Sequence, residues 1–92
     1  MSYTIKFTPN ALKDIAFHQK SGDKAVLKKL AQILKELQEH PETGIGRPER
    51  LKYELGGQWS REISKKHRLT YQILETEIIV EILSAEGHYG DK

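Results

Sequence analysis

The chain has 92 residues, a net charge of +2 and 37% hydrophobic residues. This length predicts a single domain over residues 1–92, with room for one sheet and helices on one face of it. Because cysteine is absent, disulfides and cysteine-ligated zinc are excluded, and a reducing cytoplasmic setting is favoured. No apolar run approaches the ~20 residues of a membrane span, and the first residues lack the apolar core of a signal peptide.

The first strand and the first helix are predicted from residues 3–21. Residues 3–8 alternate between apolar and polar side chains, as a strand does. Thr8 followed by Pro9 is a typical helix start, with a hydroxyl N-cap and proline at the first helical position. Gly22 is the expected stop. The face of this helix that we expect to pack on the core consists of Leu12, Ile15, Ala16 and Gln19.

A second helix is predicted to begin after Asp23 as its N-cap and to end at about Glu39 or His40, before Pro41. Its apolar residues form a broad stripe, which is far more typical of a core-facing helix than of a cofactor site. The stripe comprises Val26, Leu27, Leu30, Ala31, Ile33, Leu34 and Leu37.

The hydrophobic period changes to two after a loop rich in Gly and Pro, at residues 42–50. Strands are predicted at residues 51–55, 59–64, 67–74 and 78–83. The first two of them are joined by a Gly56-Gly57 hairpin turn. Turns are also expected at residues 65–66 and 75–77.

This order predicts an α+β fold, with two N-terminal helices packed on one face of a mostly antiparallel sheet of four to five strands. The first strand must join the sheet through a crossover formed by both helices. The opposite face of the sheet is expected to be open and to carry Arg68, Thr70 and Gln72.

Basic residues are concentrated in the middle of the chain. From Arg47 to Arg68 there are seven Lys or Arg and three Glu, whereas the chain from Glu75 onward has five acids and one Lys. Such a basic segment is typical of polyanion-binding proteins, although a solvated sheet face has the same composition. Charge alone therefore leaves nucleic-acid binding open.

Three residues could supply the chemistry of RNA cleavage, which needs a base, an acid and a cation that stabilises the transition state. Glu49 lies in the Gly/Pro loop, Arg68 on the polar face of a strand, and His88 just after the last strand. Each residue alone is more often an ordinary surface group. The remaining histidines are interpreted as structural: His67 on an apolar face, and His18 and His40 on helices remote from the basic segment. No metal-ligand spacing or phosphate-binding loop is found, so neither a metal nor another cofactor is expected.

Four segments have the order and spacing of a known family. They are TGIGRPERLKYEL at residues 43–55, GQWSR at 57–61, HRLTY at 67–71 and SAEGHY at 84–89. In these segments the chain resembles the YoeB/Txe toxins, a branch of the RelE superfamily. The agreement extends over roughly residues 41–92, and the preceding helices are compatible with it.

The resemblance implies a RelE-like toxin of a type II toxin–antitoxin pair that cleaves mRNA in the ribosomal A site without a metal, leaving a 2′,3′-cyclic phosphate and a 5′-hydroxyl. Glu49 would be the general base, Arg68 would stabilise the transition state, His88 would be the general acid, and Tyr89 would position or stack on the RNA. The predicted phosphate contacts are Lys52 and Arg61, together with Arg47 and Lys65 of the basic segment.

The implied partners are a cognate YefM/Axe-like antitoxin, the ribosome and its mRNA, with operator DNA reached only through the antitoxin. Homodimerisation is left open, no membrane is involved, and the location is the bacterial cytoplasm. Glu62 and Glu86 depart from the family pattern, because basic residues are usual at both positions. These departures leave open an alternative function, in which the chain is an inactive relative that serves as an antitoxin-binding co-repressor. A plain RNA-binding domain is a third alternative.

Overall fold

A computed structural model describes residues 2–51 and 57–87. In this part of the chain, two helices pack on one face of a five-stranded sheet with the order β1-β5-β4-β3-β2. The predicted α+β architecture is confirmed. The elements are β1 (Thr4–Phe7), α1 (Pro9–Ser21), α2 (Lys24–Leu37), β2 (Glu49–Arg50), β3 (Gln58–Glu62), β4 (Arg68–Leu74) and β5 (Ile79–Ser84).

The sheet is a meander with one added strand. β2, β3, β4 and β5 pair with their neighbours in antiparallel fashion, whereas β1 pairs with β5 in parallel. A parallel pair requires a long crossover, and here α1 and α2 supply it. The predicted crossover of the first strand is thereby confirmed.

Helix α1 begins as predicted, but it packs through a different face. The Thr8 hydroxyl accepts a hydrogen bond from the Ala11 amide at 3.1 Å, and Gly22 ends the helix at φ 71°. Asp14 and His18 are buried with Ala11, whereas 55% of the surface of the predicted core residue Leu12 is exposed. Ala16 and Gln19 are exposed as well, and of the predicted set Ile15 packs against the core. A face chosen by counting apolar side chains was wrong because two polar residues turn inward.

Helix α2 packs through most of the predicted stripe, although Ala31 of that stripe is exposed, and the helix ends earlier than predicted. Its buried residues are Val26, Leu30, Ile33 and Leu37. The helix ends at Leu37, two to three residues before the expected end. The backbone amides of Gln38 and Glu39 donate to carbonyls three residues back instead of four, which ends the α-helical pattern. Such tight final turns are common at helix ends. No helix in residues 2–51 or 57–87 is long and apolar enough to cross a membrane.

Most strand boundaries differ from the expected ones by one or two residues, and β3, for example, covers Gln58–Glu62 instead of residues 59–64. β2 comprises Glu49–Arg50, two residues before the predicted start, while residues 52–56 of the predicted strand and hairpin lie outside the described chain. β5 is shifted by one residue, because Ile78 belongs to the preceding turn with φ 57°. The polar face of the sheet is also less open than predicted, since Ser60 and Thr70 are buried.

Candidate functional site

The register of the sheet places Glu49 and Arg68 on the same face. Glu49 lies opposite Ser60 in the β2–β3 ladder, and Ser60 lies opposite Thr70 in the β3–β4 ladder. Residues that lie opposite each other in a ladder project to the same side of the sheet, so Glu49, Ser60 and Thr70 share one face. Alternate residues of one strand also project to the same side, so Arg68, two residues before Thr70, belongs to this set. The set faces away from the helices, because Leu69, which alternates with it, lies in the core.

The separation of Glu49 and Arg68 suits a phosphodiester between them. Their backbones are two strand spacings apart, about 10 Å across the sheet, and about 7 Å apart along the strands. Glu49 is exposed on an edge strand, and Arg68 is half-buried at the start of β4. Both side chains are long enough to contact one phosphate group from opposite sides, the guanidinium binding its anionic oxygens.

The described chain ends beside Arg68. The Arg68 amide donates a hydrogen bond to the Gly87 carbonyl at 2.8 Å. His88 and Tyr89 follow Gly87 in sequence but lie outside the described residues, as does Lys52. The roles predicted for these three residues therefore stay predictions.

Three side chains hold the segment that precedes His88. Asp14 Oδ2 accepts from the Ala85 amide at 2.9 Å, and His18 Nε2 donates to the Ala85 carbonyl at 2.6 Å. His67 Nδ1 accepts from the Gly87 amide at 3.1 Å. Sequence reasoning missed this arrangement.

The interpretation of His18 as structural agrees with its burial, but its predicted remoteness from the basic segment is wrong. Its ring centroid lies 4.7 Å from that of His67, which directly follows the basic turn at residues 65–66. One signal was available in the sequence. Asp14 and His18 are four residues apart and so share one face of a helix, which makes a joint role for them expected.

Arg61 is not available as a phosphate contact, contrary to the prediction. Its side chain is completely buried on the helix-facing side of β3. A guanidinium has five donors in a fixed fork, and a phosphate could use them only if they were not already bound within the protein. Here they reach the Glu36 carboxylate at 2.8 Å, the Tyr71 hydroxyl, and the carbonyls of His40, Thr43 and Ile45.

This buried cluster perturbs two titratable groups. Burial alone would raise the pKa of Glu36, but the hydrogen bond from the Ile45 amide and the Arg61 guanidinium outweigh it and hold that pKa below its usual range. Burial raises the pKa of Tyr71, and Arg61 opposes that rise only in part. The Tyr71 hydroxyl also donates to the Pro41 carbonyl at 2.7 Å, so the loop before Glu49 is tied to the centre of the sheet.

The other two predicted RNA contacts lie on the surface. The exposed Arg47 side chain approaches Glu62 at 3.9 Å, and Glu62 in turn lies opposite Arg68 in the β3–β4 ladder. Lys65 is exposed in the turn between β3 and β4, on the wall of an open cleft of about 450 Å³. Within residues 2–51 and 57–87, no group of three or more candidate ligands is arranged to hold a metal ion.

Comparison with known proteins identifies the family. The profile described as "YoeB-like toxin of bacterial type II toxin-antitoxin system" matches residues 7–89. This chain belongs to that family. The matched range includes Glu49, Arg68, His88 and Tyr89.

Individual relatives agree over nearly the whole chain. It is 37% identical to the toxin YoeB of Mycobacterium bovis, over 94% of this chain and 98% of the relative. The YoeB dimer from Staphylococcus aureus is similar in structure, with a TM-score of 0.82 at 36% identity, covering 97% of this chain and all of the other. The YoeB-YefM complex from the same organism has a TM-score of 0.79 at 34% identity, with the same coverage of both chains.

Proposed function

We propose that this toxin is an endoribonuclease that cleaves ribosome-bound mRNA in the cytoplasm by attack of the 2′-hydroxyl. The observation that carries the proposal is the sheet register, which brings Glu49 and Arg68 onto one face while the residue before His88 lies beside Arg68. Membership of the YoeB-like family supports the same reading.

In the proposed reaction, the Glu49 carboxylate takes the proton of the 2′-hydroxyl, and the 2′-oxygen attacks the adjacent phosphorus. Arg68 binds the non-bridging oxygens, whose negative charge increases in the transition state. The bond from phosphorus to the 5′-oxygen breaks, and the His88 imidazolium gives its proton to that oxygen. The products are a 2′,3′-cyclic phosphate and a 5′-hydroxyl, and Tyr89 stacks on a neighbouring base.

The proposal predicts large losses of activity from two single substitutions on the sheet face. Glu49→Gln removes the base and Arg68→Ala the cation, and each should lower the cleavage rate of ribosome-bound mRNA by about 10²–10⁴-fold. Primer extension on mRNA in programmed ribosomes measures the rate. Two matched controls should cleave at the parent rate. Glu77→Gln changes a carboxylate in the turn before β5, and Arg50→Ala removes a cation whose side chain lies on the other side of β2. A parent chain that leaves ribosome-bound mRNA intact would sink the proposal.

The proposed partner is a cognate YefM/Axe-like antitoxin, because a similar YoeB is found in complex with YefM. Contact with operator DNA would be made through that antitoxin, and the S. aureus dimer supports homodimerisation. A disordered antitoxin segment would become ordered on binding, at a cost in conformational entropy.

One observation favours a second candidate, an inactive toxin that acts as a co-repressor. Glu62 places a carboxylate opposite Arg68 on the proposed site face, and Glu86 is exposed just before Gly87. The two functions are separated by comparing antitoxin binding with cleavage. The co-repressor requires tight antitoxin binding from a chain that cleaves no mRNA on the ribosome.

A further inference from the structure

Helix α1 binds both backbone polar groups of Ala85. Asp14 accepts from its amide and His18 donates to its carbonyl, and the three residues are all buried. The contacts join positions 71 and 67 residues apart in the chain. Charged and polar side chains are seldom buried on the inward face of a helix without specific partners, and here both partners belong to one residue of the C-terminal segment.

The same segment is held again two residues later. The Gly87 amide donates to His67 Nδ1, and the Gly87 carbonyl accepts from the Arg68 amide. Because Nδ1 of His67 accepts here, its neutral ring carries the proton on Nε2. The His67 ring packs edge-on against that of His18, so the two points of attachment are in contact.

We infer that Asp14, His18 and His67 are positioning residues that fix residues 85–87 beside Arg68, and with them the point from which the chain continues to His88. The inference rests on the proposed function. Asp14 and His18 are buried beneath the chain they hold, so their effect on the reaction passes through the backbone of Ala85 rather than through the substrate.

The expected effect follows from the sensitivity of proton transfer to geometry. A general acid must lie within hydrogen-bond reach of the leaving oxygen, and a misplacement of about 1 Å can lower a rate by about 10²-fold. Loosening residues 85–87 should therefore slow the chemical step more than it weakens RNA binding. A merely structural contact would instead lower stability and leave the rate of the folded fraction unchanged.

The test compares Asp14→Ala with Asp14→Asn in single-turnover cleavage of ribosome-bound mRNA. The alanine variant should lower the maximal rate at least about tenfold and change the half-saturating toxin concentration less than about threefold. The asparagine variant keeps an oxygen that accepts from the Ala85 amide and should retain most of the rate. Leu30→Ala, a core change in α2, is the control for lost stability and should cleave at the parent rate while folded.

Amide hydrogen exchange gives a readout that is independent of activity. The Ala85 and Gly87 amides should be protected in the parent and should exchange at least about tenfold faster in Asp14→Ala, but not in Leu30→Ala. If Asp14→Ala does not fold, a second pair of variants serves for the same measurements. His18→Gln can still donate to the Ala85 carbonyl, whereas His18→Leu cannot.

The outcomes separate the two proposals. An active parent, together with an alanine variant that keeps its maximal rate, overturns the positioning role and leaves the proposed function intact. Unprotected Ala85 and Gly87 amides in the parent also overturn it. An inactive parent overturns the proposed function, and the positioning role falls with it.

Discussion

Arg61 joins three separate parts of the chain through one buried guanidinium. It binds Glu36 of α2, carbonyls of the loop at residues 40–45, and the Tyr71 hydroxyl on β4. Since this loop leads directly into β2, Arg61 supports the position of Glu49 from the opposite side of the sheet. Its contribution is therefore to the stability of the loop and the sheet.

Arg61→Ala should lower the free energy of unfolding by about 3–5 kcal/mol, because it leaves a carboxylate and several carbonyls without their donor. Arg61→Lys should also destabilise the protein, since an ammonium group cannot span the same acceptors. Urea denaturation measures the stability of both Arg61 variants. Arg50→Ala, at an exposed arginine, is the control and should change the free energy of unfolding by less than about 0.5 kcal/mol. An Arg61→Ala protein as stable as the parent would contradict the assigned role.

Glu36 should make stability depend on acid pH. The folded pKa of Glu36 lies below the ordinary pKa of a glutamate carboxyl. Its ionised form therefore contributes stability above that ordinary pKa, and this stability is lost as the pH falls through the folded pKa. Thermal unfolding of the parent and of Glu36→Gln should differ most near pH 7, and the difference should shrink as the pH is lowered from about 5 to 3. A difference in thermal stability that stays constant across this pH range would show that the ionised Glu36 carboxylate does not contribute to stability.

At the scale of elements, α1 is attached to the end of β5 by polar contacts rather than by an apolar stripe alone. Thr8 at its N-cap also donates to the Leu83 carbonyl, and Asp14 and His18 bind Ala85. These contacts come from successive turns of the helix, and all of them reach residues 83–85 at the end of β5. This attachment explains why the apolar Leu12 and Phe17 remain exposed while two polar residues are buried.

The polar face of β3 and β4 carries a carboxylate that should weaken RNA binding. Glu62 lies opposite Arg68, and its removal should raise the affinity for RNA. Glu62→Gln should bind several-fold more tightly at low salt, and Glu62→Arg should steepen the salt dependence by about 0.7 in log–log slope for single-stranded RNA. Filter binding over a salt series measures both. Glu77→Arg, in the turn before β5, is the control, and an equal effect there would point to net charge rather than position.

At the scale of the whole molecule, the uneven charge along the chain becomes uneven charge across the sheet. The basic segment from Arg47 to Arg68 forms β2, β3 and the start of β4, whereas the acidic final segment includes β5. The antiparallel meander keeps segments that are neighbours in sequence adjacent in space. We therefore expect a polyanion to be drawn toward the half of the sheet that carries Glu49 and Arg68.

Much of the fold could be predicted from local pattern. The Thr8-Pro9 start, the Gly22 stop and the apolar stripe of α2 act within a few residues of one another, so they can be read without the rest of the chain. Residue chemistry offered Glu49, Arg68 and His88 as candidates, and the family resemblance assigned their roles. The sheet register brings Glu49 and Arg68 onto one face. The catalytic roles of these residues and of His88 and Tyr89 stay predictions.

The sequence by itself determined the type and order of the elements, the α+β class and the toxin family, because periodicity, capping and motif spacing are properties of short segments. Only the tertiary structure decided that Arg61 is buried, that α1 turns Asp14 and His18 inward, and that residues 85–87 lie beside Arg68. The physical reason is common to all three. A polar side chain is stable in the interior only where its partners are, and these partners lie 10 to 71 residues away along the chain.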